Sequence, residues 1–161
     1  RSGKFFFFFE FDIQPDLITV AKGMGNGFPI GGVLISPKFK ASNGLLGTTF
    51  GGNHLACAAG IAVLDIIKNE NLIENSEKIG SYIESKIRDF NHIKSIRRRG
   101  LMIGIELDQP CAEIRSNLLT KHYVFTGNSY DATVLRILPS LNITEKEAEL
   151  FINALKSVLQ N

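Results

Sequence analysis

The sequence of residues 15–32 is Pro15-Asp16-Leu17-Ile18-Thr19-Val20-Ala21-Lys22-Gly23-Met24-Gly25-Asn26-Gly27-Phe28-Pro29-Ile30-Gly31-Gly32. Its first part, Leu17–Ala21, is a short apolar run rich in β-branched residues, so it predicts a short buried strand. The glycines from residue 23 onward recur at every second position and, with Pro29, predict a tight loop. The apolar run of residues 33–35 then predicts a returning strand.

Lys22 lies where the predicted strand ends and the glycine-rich loop begins. Apolar surroundings destabilise an ammonium ion and favour the neutral amine, which can attack a carbonyl carbon. Glycines beside the lysine would let a bulky cofactor approach the backbone closely. Lys22 is therefore a candidate catalytic and cofactor-binding residue. The alternative is a lysine that extends from the strand end into solvent.

Two common nucleotide-binding patterns do not fit this loop. The dinucleotide-binding pattern G-x-G-x-x-G, started at Gly23, requires a glycine at position 28, where the sequence has Phe28. The Walker phosphate loop places its lysine after the glycines, whereas Lys22 precedes them. The glycines are therefore not read as a nucleotide site.

A second glycine-rich loop, residues 47–53, precedes an apolar helix that starts near Leu55 and is expected to be buried on most sides. Asn53 is the predicted N-cap of this helix. The hydroxyls of Thr48 and Thr49, the free N–H groups and the helix dipole would together suit a phosphate monoester. The alternative is an ordinary turn that leads into a capped helix.

From about residue 70 onward the pattern predicts an α+β module. An amphipathic helix has its apolar stripe at Leu72, Ile79, Ile83, Ile87 and Phe90. Further strands are predicted at residues 101–107, 123–126 and 134–138, and a helix at residues 111–121. Thr144 and Glu147 form the predicted capping box of a last helix.

Arg136 is the candidate substrate-binding residue. It lies in the middle of the apolar strand 134–138, where a charge is costly unless it is paired. Its planar guanidinium matches a carboxylate with two parallel hydrogen bonds. The partner is either a substrate carboxylate or an internal one such as that of Glu106, and the residues alone leave both open.

The composition bounds the function classes. The 161 residues carry 18 basic and 16 acidic side chains and a net charge of +2, so no attraction to nucleic acid or to an anionic membrane surface is expected. No signal peptide or membrane span is visible. Cys57 and Cys111 form no metal-ligand or redox pair, which predicts reduced thiols in a cytoplasmic protein. The histidines at positions 54, 92 and 122 are isolated, and no metal site is predicted.

Four segments carry a family resemblance: residues 15–32, 47–53, 99–106 and 135–141. In this order they resemble class III (fold type I) pyridoxal-phosphate aminotransferases, most closely the acetylornithine aminotransferase group. The resemblance implies that Lys22 binds pyridoxal 5'-phosphate (PLP) and moves the proton during transamination. It implies that Thr49, together with Thr48, anchors the phosphate of the neighbouring subunit's cofactor, and that Arg136 holds the substrate α-carboxylate. The active site would lie at the interface of a homodimer.

The resemblance also implies a fold class and a division into domains. The chain is expected to be α/β and to form the C-terminal part of a fold type I PLP-dependent transferase. Residues 1–69 would be the end of the sheet of the large PLP-binding domain with a linking helix, and residues 70–161 the small α+β domain.

The implied reaction is transfer of the amino group of N2-acetylornithine to 2-oxoglutarate in arginine biosynthesis. The first alternative is another class III aminotransferase, acting on succinylornithine, ornithine or 4-aminobutyrate. The second alternative is a non-catalytic module for dimerisation or binding.

The sequence departs from the family's pattern at Leu46, where histidine is frequent, and at His54, where proline is frequent. The chain opens with residues 1–4 and five phenylalanines, and this opening resembles the tail of a motif whose preceding aspartate pairs with the cofactor's ring nitrogen. We therefore expect a C-terminal fragment that is inactive alone, and whose first 50 residues need neighbouring strands in order to fold.

Overall fold

The computed structural model describes residues 1–160. These residues form two compact units: the first unit is Phe8–Asn71, and the second unit is Arg1–Phe7 together with the chain from Leu72 onward. The boundary thus lies between Asn71 and Leu72, and the first seven residues join the second unit. No helix among the described residues is long and apolar enough to cross a membrane.

The first unit contains an antiparallel strand pair and one long helix. Strand β1 (Leu17–Val20) pairs with β2 (Gly32–Ile35), and a 3₁₀ turn at Lys22–Gly25 lies in the loop between them. Helix α1 (His54–Asn69) follows, and Asn53 Oδ1 accepts a 2.9 Å hydrogen bond from the N–H of Ala56. The two predicted strands, the loop and the capped helix are confirmed.

Burial in the first unit differs from the prediction. The sequence predicts a buried β1 and an α1 that is buried on most sides, and both predictions are wrong for the described chain. The residues of β1 are exposed or half-buried, and only Ala56 and Gly60 of α1 are buried. A two-stranded sheet and a single helix have too few neighbours to cover their apolar faces, so Leu17 and Leu55 are exposed.

The second unit is a four-stranded antiparallel sheet with helices on one face. The strands lie in the spatial order β3 (Ile93–Arg99), β4 (Met102–Leu107), β6 (Val134–Ile137), β5 (Gly127–Asn128). The helices are α2 (Leu72–Ile87), α3 (Ala112–His122) and α4 (Glu145–Leu159). Their shared core includes Ile79, Ile83, Ile87, Ile103, Ile105, Leu107, Leu118, Leu135, Ile137, Phe151 and Leu155.

Alternation along the strands gives the sheet two different faces. Leu135 and Ile137 are buried against the helices, whereas Arg136 between them is exposed. In β4 the side chain of Ile103 is 2% exposed and that of Met102 is 50% exposed. The sheet face opposite the helices, here called the open face, carries Arg97, Met102, Gly104, Glu106 and Arg136.

The prediction of a strand at residues 123–126 was wrong. Tyr123 adopts a left-handed conformation (φ 57°) as the C-cap of α3, and the N–H of Val124 donates a 2.9 Å hydrogen bond to the carbonyl of Leu118. These backbone groups close the end of the helix, so they are not available to a sheet ladder. Strand β5 begins only at Gly127.

Helix α2 approaches the turn between β3 and β4 at a pair of glycines. A Cβ atom at Gly80 would lie 2.0 Å from the carbonyl oxygen of Gly100, and Gly100 itself has a φ of 53°. Next to this turn, the N–H of Leu101 donates a 2.8 Å hydrogen bond to the carbonyl of Arg1. That bond explains why the first residues belong to the second unit.

Candidate functional site

Lys22 begins the 3₁₀ turn that follows β1, and its backbone is left-handed with a φ of 55°. This conformation costs a residue with a Cβ atom roughly 1–2 kcal/mol. The turn is held by hydrogen bonds from Met24 N to Ala21 O (3.1 Å) and from Asn26 N to Gly23 O (3.2 Å). Strain of this kind is concentrated at functional sites, where the surrounding structure maintains it.

The lysine loop is fixed against α1. Gly60 of α1 leaves space for two side chains of the loop: a Cβ atom at position 60 would lie 3.4 Å from Ile30 Cδ1 and 3.9 Å from Met24 Cε. Gly25 is buried, and a Cβ atom there would lie 2.5 Å from Ile30 Cγ2. The loop that presents Lys22 is therefore a packed element.

The side chain of Lys22 lies in a shallow cleft that is open to solvent. The cleft is lined by Lys22, Gly23, Asn26, Gly27, Phe28, Pro29 and Ile30. Among residues 1–160, no hydrogen bond or ion pair engages the Lys22 amine. Of the two environments considered for Lys22, apolar surroundings or solvent, the described chain has the second, because Lys22 and most of the lining residues are exposed.

Thr48 and Thr49 are exposed on the loop immediately before α1. Gly51 provides space for the side chain of Thr48, since a Cβ atom at position 51 would lie 2.1 Å from Thr48 Cγ2. Both threonines thus lie on the segment that leads into the N-terminus of α1, the end of a helix dipole at which an anion is stabilised. The cleft at Lys22 includes neither threonine, so this chain does not bring the two predicted cofactor-binding elements into one pocket.

Arg136 lies in β6, in the second unit, between two glycines of the neighbouring strands. It pairs with Gly104 of β4 and with Gly127 of β5. No ion pair involves Arg136 within residues 1–160. Glu106, the internal partner considered above, instead accepts a 2.8 Å hydrogen bond from Ser95 Oγ and lies 3.7 Å from Arg97 Nη2. The internal alternative is not realised, and the Arg136 guanidinium is available to a ligand.

The remaining candidate ligands of a metal are dispersed. Within residues 1–160 no group of three or more histidine, cysteine or acidic side chains could hold a metal ion. His92 Nδ1 lies 3.1 Å from Asp108 Oδ2 at the surface. Cys57 is exposed and Cys111 is buried, and neither forms a disulfide.

Nearly the whole chain matches a known family. The family model described as aminotransferase class-III matches residues 1–159. The chain belongs to the class III aminotransferases. Its relatives include the acetylornithine aminotransferase of Methanocaldococcus jannaschii, 40% identical over 164 residues, and the mitochondrial alanine–glyoxylate aminotransferase 2 of Homo sapiens, 39% identical over 179 residues. These alignments cover 98% and 99% of this chain, but 41% and 35% of the two relatives.

A solved structure of a class III aminotransferase has the same fold. The acetylornithine aminotransferase of Elizabethkingia anophelis superposes with a TM-score of 0.83 at 28% sequence identity, covering 99% of this chain and 44% of that one. The predicted fold class, the C-terminal part of a PLP-dependent aminotransferase, is confirmed. The chain spans about two fifths of the length of the relatives it matches.

Class III aminotransferases depend on PLP, and the residues of this chain are compatible with that cofactor. A primary amine condenses with an aldehyde such as that of PLP, and the Lys22 amine has no competing partner among the described residues. A Cβ atom added at Gly23 or at Gly27 would meet no atom within 4 Å, so the space beside the lysine is open. The threonine loop before α1 offers donors for a phosphate.

Proposed function

We propose that this chain supplies the cofactor lysine and the substrate-carboxylate arginine of a PLP-dependent aminotransferase that transfers the amino group of N2-acetylornithine to 2-oxoglutarate. The placement of Lys22 carries the proposal. A strained, packed turn presents an amine that is exposed and has no partner among residues 1–160. A lysine amine in its neutral form is both a nucleophile and a base, and transamination requires both roles of one group.

Each residue has a separate task in this proposal. Lys22 would hold PLP through its amine and would be the base that moves a proton at the substrate carbon. PLP, when bound, withdraws electrons from the bond that breaks at the substrate carbon. Thr49, together with Thr48, would donate hydrogen bonds to the phosphate of the neighbouring subunit's cofactor. Arg136 binds the α-carboxylate of 2-oxoglutarate or glutamate with two parallel hydrogen bonds.

A labelling experiment tests the role of Lys22. The 161-residue chain is incubated with PLP and reduced with borohydride, and the modified residue is identified by peptide mass. We expect one dominant adduct, on Lys22, and its loss in Lys22→Ala. Lys40→Ala is the matched control, because Lys40 is another exposed lysine of the first unit. Labelling that is absent, or that is scattered evenly over the lysines, contradicts the proposed role.

The choice of amino donor is proposed from the relatives that are acetylornithine aminotransferases. The test is a panel of N2-acetylornithine, N2-succinylornithine, ornithine and 4-aminobutyrate, each with 2-oxoglutarate, on the full-length protein that carries this sequence. We expect the highest kcat/KM with N2-acetylornithine, which would place the enzyme in arginine biosynthesis. A preference for another donor would support the alternative of a different class III aminotransferase. If no donor is turned over, the alternative of a non-catalytic module is supported.

The proposed enzyme is a cytoplasmic homodimer with its active site at the interface. The free thiols of Cys57 and Cys111 support a reducing compartment. The exposed apolar side chains of the first unit, among them Leu17, Leu34 and Ile61, support burial against further protein. Sedimentation of the full-length protein, with and without PLP, measures the predicted dimer.

A further inference from the structure

The guanidinium of Arg136 lies over a neighbouring glycine. Gly127 of β5 is its direct cross-strand partner, and a Cβ atom at position 127 would lie 2.9 Å from Arg136 Nε and 3.3 Å from Arg136 Nη2. At the shorter distance the guanidinium has to move, because carbon and nitrogen atoms in contact are about 3.5 Å apart or more and the exposed end of Arg136 is free to shift. The guanidinium thus occupies the space that any other residue at position 127 would fill.

The glycine on the other side of Arg136 has no such role. Gly104 of β4 is also a direct cross-strand partner of Arg136. A Cβ atom at position 104 would have Val134 Cγ1 at 3.6 Å and the carbonyl oxygen of Arg97 at 3.9 Å, and no atom of Arg136 within 4 Å. The arginine side chain therefore leans towards β5 and away from β4.

Backbone conformation does not require glycine at either position. Neither Gly127 nor Gly104 is among the residues with a positive φ, so the backbone dihedral angles permit an alanine at both sites. At position 127 the added Cβ atom would also lie 3.3 Å from the carbonyl oxygen of Arg136. What distinguishes the two glycines is the space above them. At Gly127 that space holds a guanidinium, and at Gly104 it does not.

We propose that Gly127 is a positioning residue for substrate binding, because it supports the Arg136 guanidinium in the orientation that receives the substrate's α-carboxylate. This inference rests on the proposed function of Arg136. Two parallel hydrogen bonds to a carboxylate require the guanidinium plane to be aligned with the ligand. A long side chain that is already held in place loses less conformational freedom when the ligand binds. Gly127 therefore contributes to affinity without touching the substrate.

Nuclear magnetic resonance of the ¹⁵N-labelled 161-residue chain tests the proposal through the Nε–Hε signal of Arg136. Two quantities are measured. The first is the order parameter of the Nε–Hε bond vector, which reports how mobile the side chain is. The second is the affinity for 2-oxoglutarate, with sodium chloride at matched ionic strength as the reference. We expect Gly127→Ala to make the side chain more mobile and to weaken 2-oxoglutarate binding at least fivefold. Gly104→Ala, the matched control in the same cross-strand row, should change affinity by less than twofold.

A second pair of variants distinguishes an effect on the guanidinium from an effect on the backbone of the strands. Arg136→Ala removes the side-chain atoms that the added methyl would displace, so Gly127→Ala in that background should change affinity by less than twofold. The proposal is overturned if Gly127→Ala weakens binding equally with and without the change at position 136. It is also overturned if Gly127→Ala, with Arg136 present, changes neither the order parameter nor the affinity. If 2-oxoglutarate does not shift the Arg136 signal in the unaltered chain, the carboxylate role of Arg136 fails and the inference fails with it.

Discussion

Arg98 of β3 donates a 2.9 Å hydrogen bond from Nε to Oε2 of Glu84 on α2. The same guanidinium donates from Nη2 to Oε1 of Glu77, also at 2.9 Å, and the Arg98 side chain is only 14% exposed. Two of its nitrogens therefore tie the strand to one face of the helix. This ion-pair cluster joins β3 to α2 at the side of the sheet that carries the core.

We predict that Arg98→Ala destabilises the second unit by about 2 kcal/mol, because it removes the 2.9 Å hydrogen bonds to Glu77 and Glu84 and leaves the partly buried Glu84 carboxylate with only the 3.2 Å bond from Arg88. Arg97→Ala is the matched control. Its side chain is 69% exposed and lies 3.7 Å from Glu106, so its loss should cost no more than about 0.5 kcal/mol. Urea unfolding of both variants measures the difference, and equal losses would contradict the assignment.

The Arg98 cluster also predicts a pH dependence. Its hydrogen bonds hold the pKa of Glu77 and of Glu84 below the ordinary value of a glutamate, which is about 4.3. A group whose pKa is lowered by folding stabilises the folded state above its unfolded pKa, and that stabilisation is lost as pH falls through the folded pKa. The stability gap between the unaltered chain and Arg98→Ala should therefore shrink below about pH 4. A difference in the free energy of unfolding that is the same at pH 7 and pH 3 would refute this.

The features that the sequence predicts correctly are those that depend on neighbouring residues. The capping box is one example: Thr144 N donates to Glu147 Oε2 at 2.7 Å, and Glu147 N donates to Thr144 Oγ1 at 3.3 Å. Alternation along β4 is another, because a period of two fixes which side chains face the core. Both patterns lie within a few residues of sequence.

The features that it could not predict depend on distant parts of the chain. Gly104 and Gly127 lie beside Arg136 only because the strand order is β3-β4-β6-β5, and no local pattern encodes that order. The strand predicted at residues 123–126 does not form, because the N–H groups of Tyr123 and Val124 donate to carbonyl groups at the end of α3. Which of the two environments Lys22 has also depends on distant residues, because apolar walls require neighbours that the first unit does not contain.

Tyr82 of α2 should titrate at an unusually high pH. Its hydroxyl donates a hydrogen bond to Glu149 of α4, and this contact raises the pKa of Tyr82 to about 12. Because the pKa is raised by folding, the contact stabilises the fold below the ordinary tyrosine pKa of about 10 and is lost as pH rises through about 12. Titration of the Tyr82 ¹³Cζ signal should show a lower pKa in Glu149→Gln. Glu145→Gln, which removes only a more distant charge, should have a smaller effect.

Gly25 and Gly23 allow a direct test of the lysine loop, because they lie two residues apart in the same 3₁₀ turn. An alanine at position 25 would place its Cβ atom 2.5 Å from Ile30 Cγ2, whereas an alanine at position 23 would meet nothing within 4 Å. Neither residue has a positive φ, so the backbone permits both changes. Overpacking of this kind costs about 1–3 kcal/mol, and here it would displace Ile30 from its contact with α1 at Gly60.

We therefore expect Gly25→Ala to reduce PLP labelling of Lys22 severalfold and Gly23→Ala to leave it unchanged. If both variants label like the unaltered chain, packing of the loop against α1 does not determine how Lys22 is presented.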